Sequence, residues 1–282
     1  MQLKLVGLAL LSALLAAIVA SAQPQFDVGS IKPAPPNERN GGYRFDPGGR
    51  TVVSDFTLKN LVMVAWHVQD FQLSGRPPWF DSDSARYDIE AKAEGNPSEA
   101  ESRRMLESLL ADRFHLALHH ETRELPIYVL VSAKSGVHGA GLVPSKEGEC
   151  TPRPQDFPPP LEPGLPPYCG FAQRLRRQDT GPPLMQFHGA GITLGILART
   201  LGTVLDRHVE DDTGIGGSYD MTFEYAPDDD LQKRVMPDTP TSDGSLPSLF
   251  TALQEQLGLR LEPRKGPIEV LVIDRAERPS AN

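Results

Sequence analysis

The sequence predicts an α+β fold: two related β-α-β-α-β-β units, each a small, mostly antiparallel sheet covered by two helices, joined by a proline-rich linker. Three observations predict it. HETRELPIYVLV at residues 120–131 is echoed by EPRKGPIEVLVI at 262–273, each behind a short amphipathic run. The apolar positions upstream of the two echoes match in order, with Thr57-Leu58-Leu61 over Thr193-Leu194-Leu197, Tyr87-Asp88 over Tyr219-Asp220, and Leu106-Leu110-Phe114 over Leu249-Leu253-Leu257. Between the two halves, Pro144 to Pro183 is thick with proline and carries no sustained apolar periodicity. An ordered echo of this kind is what a duplicated supersecondary unit leaves in a sequence.

The elements follow in chain order. GGRTVVSDF reads as a strand, and Thr57 then caps a helix carrying Leu58, Leu61, Val62 and Ala65 on one face, with Trp66 expected in the core. In RYDIEAKA, Tyr87, Ile89 and Ala91 alternate with Asp88, Glu90 and Lys92, the period-two pattern of a half-buried strand. Ser98 and Glu101 form a capping-box signature ahead of Met105, Leu106, Leu109 and Leu110. FHLALHHE and PIYVLVSA are then expected as an antiparallel hairpin turning at Thr122 to Glu124. In the second half, MQFHG leads to a helix capped at Thr193, and SYDMTFEYA supplies a strand with Tyr219, Met221, Phe223 and Tyr225 on one face. Ser245 is expected to start a helix through Leu249, Phe250, Leu253 and Leu257, ending near Gly258, and LRLEPRKGPIEVLVID makes the last strand pair.

The N-terminus reads as a signal peptide over residues 1–22. Lys4 precedes an apolar run from Leu5 to Val19, too short for a comfortable membrane span, and Ala20-Ser21-Ala22 suits a signal peptidase. The expected divisions are therefore 23–143 for the first unit, 144–183 for the linker and 184–282 for the second. The formal net charge of −9 repels phosphate backbones and anionic lipid, which argues against nucleic acid as a partner and against stable membrane insertion once the leader is gone. Cys150 and Cys169 lie in the same proline-dense stretch. In an oxidising compartment they are expected to form a disulfide worth ~3 kcal/mol in the chain-entropy model, against the alternative of two free thiols.

Two resemblances follow from these residues. ITLGILARTLGTVLDRHVEDDTG, SYDMTFEYAPD and SLFTALQEQLGLRLEPRKGPIEVLVID together resemble the secretin and TonB N-terminus short domain. Over almost the whole chain, FDVGSIKP, the TLKNL helix, RYDIEAKA, MLESLLADRFHLALHHETRELPIYVLV and the C-terminal run resemble a large family of exported proteins abundant in acidobacterial soil bacteria. Relatives of that family are joined to membrane metallopeptidases of the antibiotic-sensing type. The resemblance implies family membership and export, and no activity.

The residues carry no recognisable catalytic or metal motif. His119-His120-Glu121 with Glu124 approaches a helical H-E-x-x-H zinc site, but the fifth position is glutamate and the segment reads as strand, where neighbours face opposite ways. His115 and His119 would stand about 13 Å apart on one strand face, too far to share an ion. There is no G-x-S-x-G elbow and no S-x-x-K. Gly214-Ile215-Gly216-Gly217 precedes a strand and reads as a turn, and Asp228-Asp229-Asp230 lacks the spacing of a calcium loop. Trp79-Phe80, in the loop after Pro77-Pro78, serves either as a hydrophobic plug over the helices or as a contact for a ligand or partner.

The favoured reading is an exported, non-catalytic recognition protein of the periplasm or extracellular space, without cofactor, docking an envelope protein or small ligand through sheet edges. The competing classes are a hydrolase of envelope or extracellular polymers using Asp88, Glu90, Asp220 and Glu224, and a periplasmic ligand sensor.

Overall fold

The computed structural model describes residues 24–36, 41–133, 139–146, 148–151, 168–176, 184–228 and 246–279. The segment read as a signal peptide, most of the proline-dense stretch, Ser245, Asp229 and Asp230 lie outside them. The chain is α+β, as its periodicities predict, and among the described residues its strands form three four-stranded sheets.

The first sheet has the order β1 (Val28–Pro33), β5 (Arg86–Lys92), β3 (Arg50–Thr57), β2 (Gly42–Asp46), all antiparallel. Two helices cover it. Helix α1 (Leu58–Ala65) is capped by the Thr57 side chain accepting from Asn60 N–H, and α2 (Glu99–Arg113) by the Ser98–Glu101 capping box. Both caps fall where the sequence placed them, because a hydroxyl at that position satisfies a donor with no partner inside the helix. Tyr87, Ile89 and Ala91 are buried, and Leu58, Leu61, Val62, Leu106 and Leu110 close on them.

The second sheet repeats this plan in the order β7 (Leu142–Pro144), β11 (Tyr219–Tyr225), β9 (Leu184–Ile192), β8 (Gly170–Arg176). Proline-free β8 is an edge strand, and it is drawn from the stretch expected to be linker. Helix α3 (Leu194–Leu205) is capped by Thr193, and α4 (Leu249–Ala252) by Ser248 rather than by the expected Ser245. Helix α4 runs on as a π turn, Leu253–Leu257, to Gly258 in the left-handed conformation. The Gln256 and Leu257 carbonyls, left without partners at the end of the helix, accept Gly141 N–H and Gly139 N–H, at 2.8 and 2.9 Å.

The third sheet corrects the expected hairpins. β6 (Ala117–Ser132) and β12 (Leu259–Arg275) are each one unbroken strand, and they pair with each other, antiparallel, over nearly their full length. Thr122-Arg123-Glu124 contains no Gly, Asn or Asp to enter the left-handed region that a tight hairpin turn requires. Its polar residues instead continue the strand's alternation. Leu125 faces Gly266 at the middle of the ribbon, with Pro126 opposite Lys265 and Pro267 opposite Glu124. The ribbon is only two strands wide there, a setting that tolerates residues lacking a donor.

Short strands complete the sheet by crossing between halves. β4 (Leu73–Ser74) runs parallel to β12, and β10 (Val209–Asp211) runs parallel to β6. Core packing crosses in the same sense. Leu271 and Ile273 of β12 are buried with α1 and α2, whereas Leu130 of β6 is buried with α3 and α4. Between the two cores, Ile127, Val129, Ile268 and Val270 form a third cluster against Phe71.

Polar contacts fix the loop that joins α1 to this ribbon. The buried Gln69 amide donates to Arg199 O at 2.8 Å and to Thr203 Oγ1, both on α3. Asp70 accepts from Lys59 Nζ at 3.0 Å and from Arg76. Burial pushes the Asp70 carboxyl up, but the Lys59 hydrogen bond and the Arg76 and Lys59 charges outweigh it and hold the group below its ordinary value.

The strand-to-helix junction is built alike in both halves. In β3 a bulge places Asp55 at φ 55°, and its N–H donates to Asp88 Oδ1 at 2.8 Å. In β9 the bulge residue is Gly191 at φ 63°, and its N–H donates to Asp220 Oδ1 at 2.8 Å. Glycine is required at the second site because a Cβ there would stand 2.7 Å from Cys150 Sγ. Each bulge turns the chain into the cap residue two positions on.

Three outcomes follow from this architecture. Asp88→Ala and Asp220→Ala each strand a bulge N–H and should lose about 1–3 kcal/mol in chemical denaturation, while Asp88→Asn, which keeps an acceptor, should stay within about 1 kcal/mol of the parent. Leu271→Ala should cost about 2–5 kcal/mol. Fluorescence and circular dichroism should report it as one shared transition, since the residue belongs to the second half's strand but the first half's core. Because the Asp70 carboxyl is depressed in the fold, its contribution is present above the unfolded carboxyl value of about 3.9 and fades as pH falls through the lower folded value. Asp70→Asn should therefore lower the thermal midpoint at neutral pH and flatten its acid-side decline.

Candidate functional site

The two cysteines form a disulfide, Cys150–Cys169. It is flanked by the Thr151–Tyr168 bridge and packs against the Gly191 bulge beside the α3 cap. Of the loop aromatics, Phe80 has no exposed surface and lies in the first core, so it cannot serve as an outward contact. Trp79 is half-buried, with the Arg278 guanidinium 5.7 Å from its ring centre. Trp66 closes α1 and packs against the same core.

The four carboxylates considered for acid–base chemistry fall on two different sheets. Asp88 and Glu90 lie on β5, and Asp220 and Glu224 on β11. Asp88 and Asp220 hold the bulge amides. Exposed Glu90 pairs with Arg50 at 3.5 Å, and Glu224 accepts from Gln186 Nε2 at 2.9 Å. The buried Tyr225 phenol is pushed up to about 12 by burial and by the charge of Asp228, which removes it from proton transfer near neutral pH.

The histidines are separated in the same way. His119 and His120 are neighbours on a strand and meet different carboxylates, Asp274 at 2.9 Å and Glu269 at 3.0 Å, while His115 meets Glu277 at 3.4 Å. Among the described residues, no group of three histidine, cysteine, aspartate or glutamate side chains converges as a metal site would need. Residues 214–217 form an irregular turn between β10 and β11, as expected.

Among the described residues, two of the surface cavities bear on a site. One, of about 250 Å³, lies between β1 and α2, with Phe26, Met105 and Leu109 in its walls beside the charged Asp27, Asp112 and Arg113. The other, of about 280 Å³, is lined by Phe250, Thr251, Gln254, Glu255, Arg260 and Leu261 at the junction of α4 and β12. Neither is lined by a histidine or a cysteine.

The second cavity adjoins an aromatic and cationic face. Phe250 is 41 % exposed and meets Tyr128 edge to face at 5.4 Å. The Arg207 guanidinium lies 4.9 Å from the centre of the Tyr128 ring. Each residue is placed by its element: Phe250 by the first turn of α4, Tyr128 by β6, and Arg207 by the turn after α3, where its N–H donates to Gly202 O. The sequence had put Phe250 in the apolar stripe of its helix. That stripe is filled by Leu249, Leu253 and Leu257, which are buried, and a residue one step on from Leu249 points about 100° away. The adjacent pair Leu249-Phe250 was the available signal, since a single helical face cannot hold both.

Among the described residues no helix is long and apolar enough to cross a membrane. No curated protein and no solved structure matches the chain. A family model described as "Protein of unknown function (DUF3738)" matches residues 59–276, from the first helix to the end of the last strand. By that match the chain belongs to the DUF3738 family of proteins of unknown function.

Proposed function

We propose that this is an exported, non-catalytic recognition protein of the cell envelope, built from two copies of one α+β unit, the first within residues 23–143 and the second over 184–282 with β7 and β8 added to its sheet. The observation that carries the reading is how its polar groups are used. Asp88 and Asp220 are spent on backbone amides, His119 and His120 meet separate carboxylates on an exposed strand, neither cavity is lined by a histidine or a cysteine, and Asp112 in the cavity beside α2 is paired with Arg113 at 3.2 Å. A reaction centre needs such groups to converge, whereas a docking surface needs exposed aromatic area and open strand borders. This chain offers Phe250, Tyr43 on the edge strand β2, and the outer borders of β1, β2, β7 and β8.

Export is supported by the apolar run from Leu5 to Val19 and by a disulfide, a bond that persists in oxidising compartments. Duplication is supported by the shared element order, the paired Thr57 and Thr193 caps and the two Asp-held bulges. The resemblance of residues 184–282 to the secretin and TonB short domain, and of the family to proteins joined to membrane metallopeptidases, both point to an envelope setting.

The immobilised mature chain should retain an envelope component saturably, with free chain competing for it. Hydrolysis of an envelope polymer that is lost in folded Asp88→Asn or Asp220→Asn would sink the reading in favour of an enzyme.

A further inference from the structure

We infer that the face made by Arg207, Tyr128 and Phe250 docks an acidic, apolar segment of a partner protein, with a carboxylate on the Arg207 guanidinium and an apolar side chain beside Phe250. This rests on the recognition reading above and adds to it a place and a chemistry.

The cation is the first reason. Among the described residues Arg207 forms no ion pair, whereas Arg260 and Arg264 are both engaged by Glu262. Its guanidinium is instead supported on the Tyr128 ring. A planar guanidinium held against an aromatic face keeps its forked donors free and already oriented, and carboxylate is the group that fits that fork in two parallel hydrogen bonds. On a chain of net charge −9, an unspent, pre-positioned cation of this kind selects an anion locally where the rest of the surface repels one.

The cavity is the second reason. At about 280 Å³ it lies just under the range of about 300–1,000 Å³ usual for small-molecule pockets, a volume suited to one side chain. Phe250 and Leu261 give it apolar wall, and its two charged lining residues are of opposite sign, Glu255 and Arg260, with Arg260 already held by Glu262. The carboxylate therefore belongs on Arg207 and the apolar group beside Phe250, with Tyr128 bridging the two.

The other half of the chain supplies an internal contrast. Where the echo matches Leu249 to Leu106 and Val270 to Val129, the places of Phe250 and Tyr128 are taken by Glu107 and Glu269. Burial raises the Glu107 carboxyl above its ordinary value, and Glu269 is paired with His120. Two carboxyls thus stand where the other half presents aromatic rings. Features common to both halves, such as the caps and bulges, build the fold, and this face is where the halves differ.

The test uses the full mature chain and an acetylated, amidated tetrapeptide of sequence Gly-Phe-Asp-Gly, with Asn in place of Asp as control, followed by NMR titration. Saturable binding is expected, weakened about tenfold or more by the Asn peptide and by Arg207→Gln, as the loss of a hydrogen bond to a charged group predicts, and by Phe250→Ser, as the loss of buried apolar area predicts. Glu107→Gln should bind as the parent does. No saturable binding, equal binding of the Asn peptide, or affinity unchanged in both variants would overturn the proposal. If Arg207→Gln perturbs α3, Phe250→Ser and the Asn peptide still decide. Envelope retention that is equal in the parent and both variants would remove this site and leave recognition standing. Peptide binding without any envelope retention would do the reverse.

Discussion

Everything in this molecule depends on the antiparallel pairing of β6 with β12, two long strands drawn from regions about 140 residues apart in the chain. Each strand completes the core of the half it does not belong to, and each receives a short parallel strand, β10 or β4, from across the middle. Neither half could bury its apolar surface without the other. Leu130 is fully buried on one side of the ribbon's centre and Leu271 nearly so on the other, so a shift of one residue in register would turn both toward the wrong face. The third cluster, around Ile127, Val129, Ile268 and Val270, locks that register at the middle.

Around this ribbon the polar side chains have mostly structural work. A carboxylate that accepts a bulge amide, a threonine that caps the next helix and a tyrosine packed beneath the sheet recur in both halves as Asp88, Thr57 and Tyr87, and as Asp220, Thr193 and Tyr219. The bulge residue itself differs. Asp55 keeps a buried side chain beside Arg86, with Arg86 Nη1 donating to Asp55 O at 2.7 Å, while Gly191 gives up its side chain to make room for the disulfide. The same backbone device is thus stabilised by an ion pair in one half and by a covalent bridge in the other.

Much of this was legible in the sequence, for identifiable reasons. Caps at Thr57, Ser98 and Thr193 are local chemistry, decided within four residues. The alternation in Arg86–Lys92 and Tyr219–Tyr225 reports burial directly, and the structure buries the alternate residues it names. What could not be read was choice of partner. An apolar run with a polar centre is equally consistent with a folded-back hairpin and with a single strand, because periodicity carries no information about which strand lies alongside. The roles of Asp88 and Asp220 were hidden for a related reason: a carboxylate on a strand's outer face looks the same from sequence whether it meets water, substrate or a backbone amide. Phe250 was misplaced because hydrophobicity alone does not say which of two adjacent apolar residues a short helix turns inward.

The shared ribbon also sets the order of events as the chain acquires its shape. Until residues 259–275 are on hand, the first half lacks Leu271 and Ile273, and β6 offers a bare, largely polar border along most of its length. Closing a contact over so long a stretch of chain is slow, and the waiting species exposes an edge able to recruit foreign strands. The charges that line the border, Glu121, Arg123 and Glu124 among them, are the residues that would hold such strands off. A polypeptide whose cores close only once its distal strand arrives stays open to threading until then.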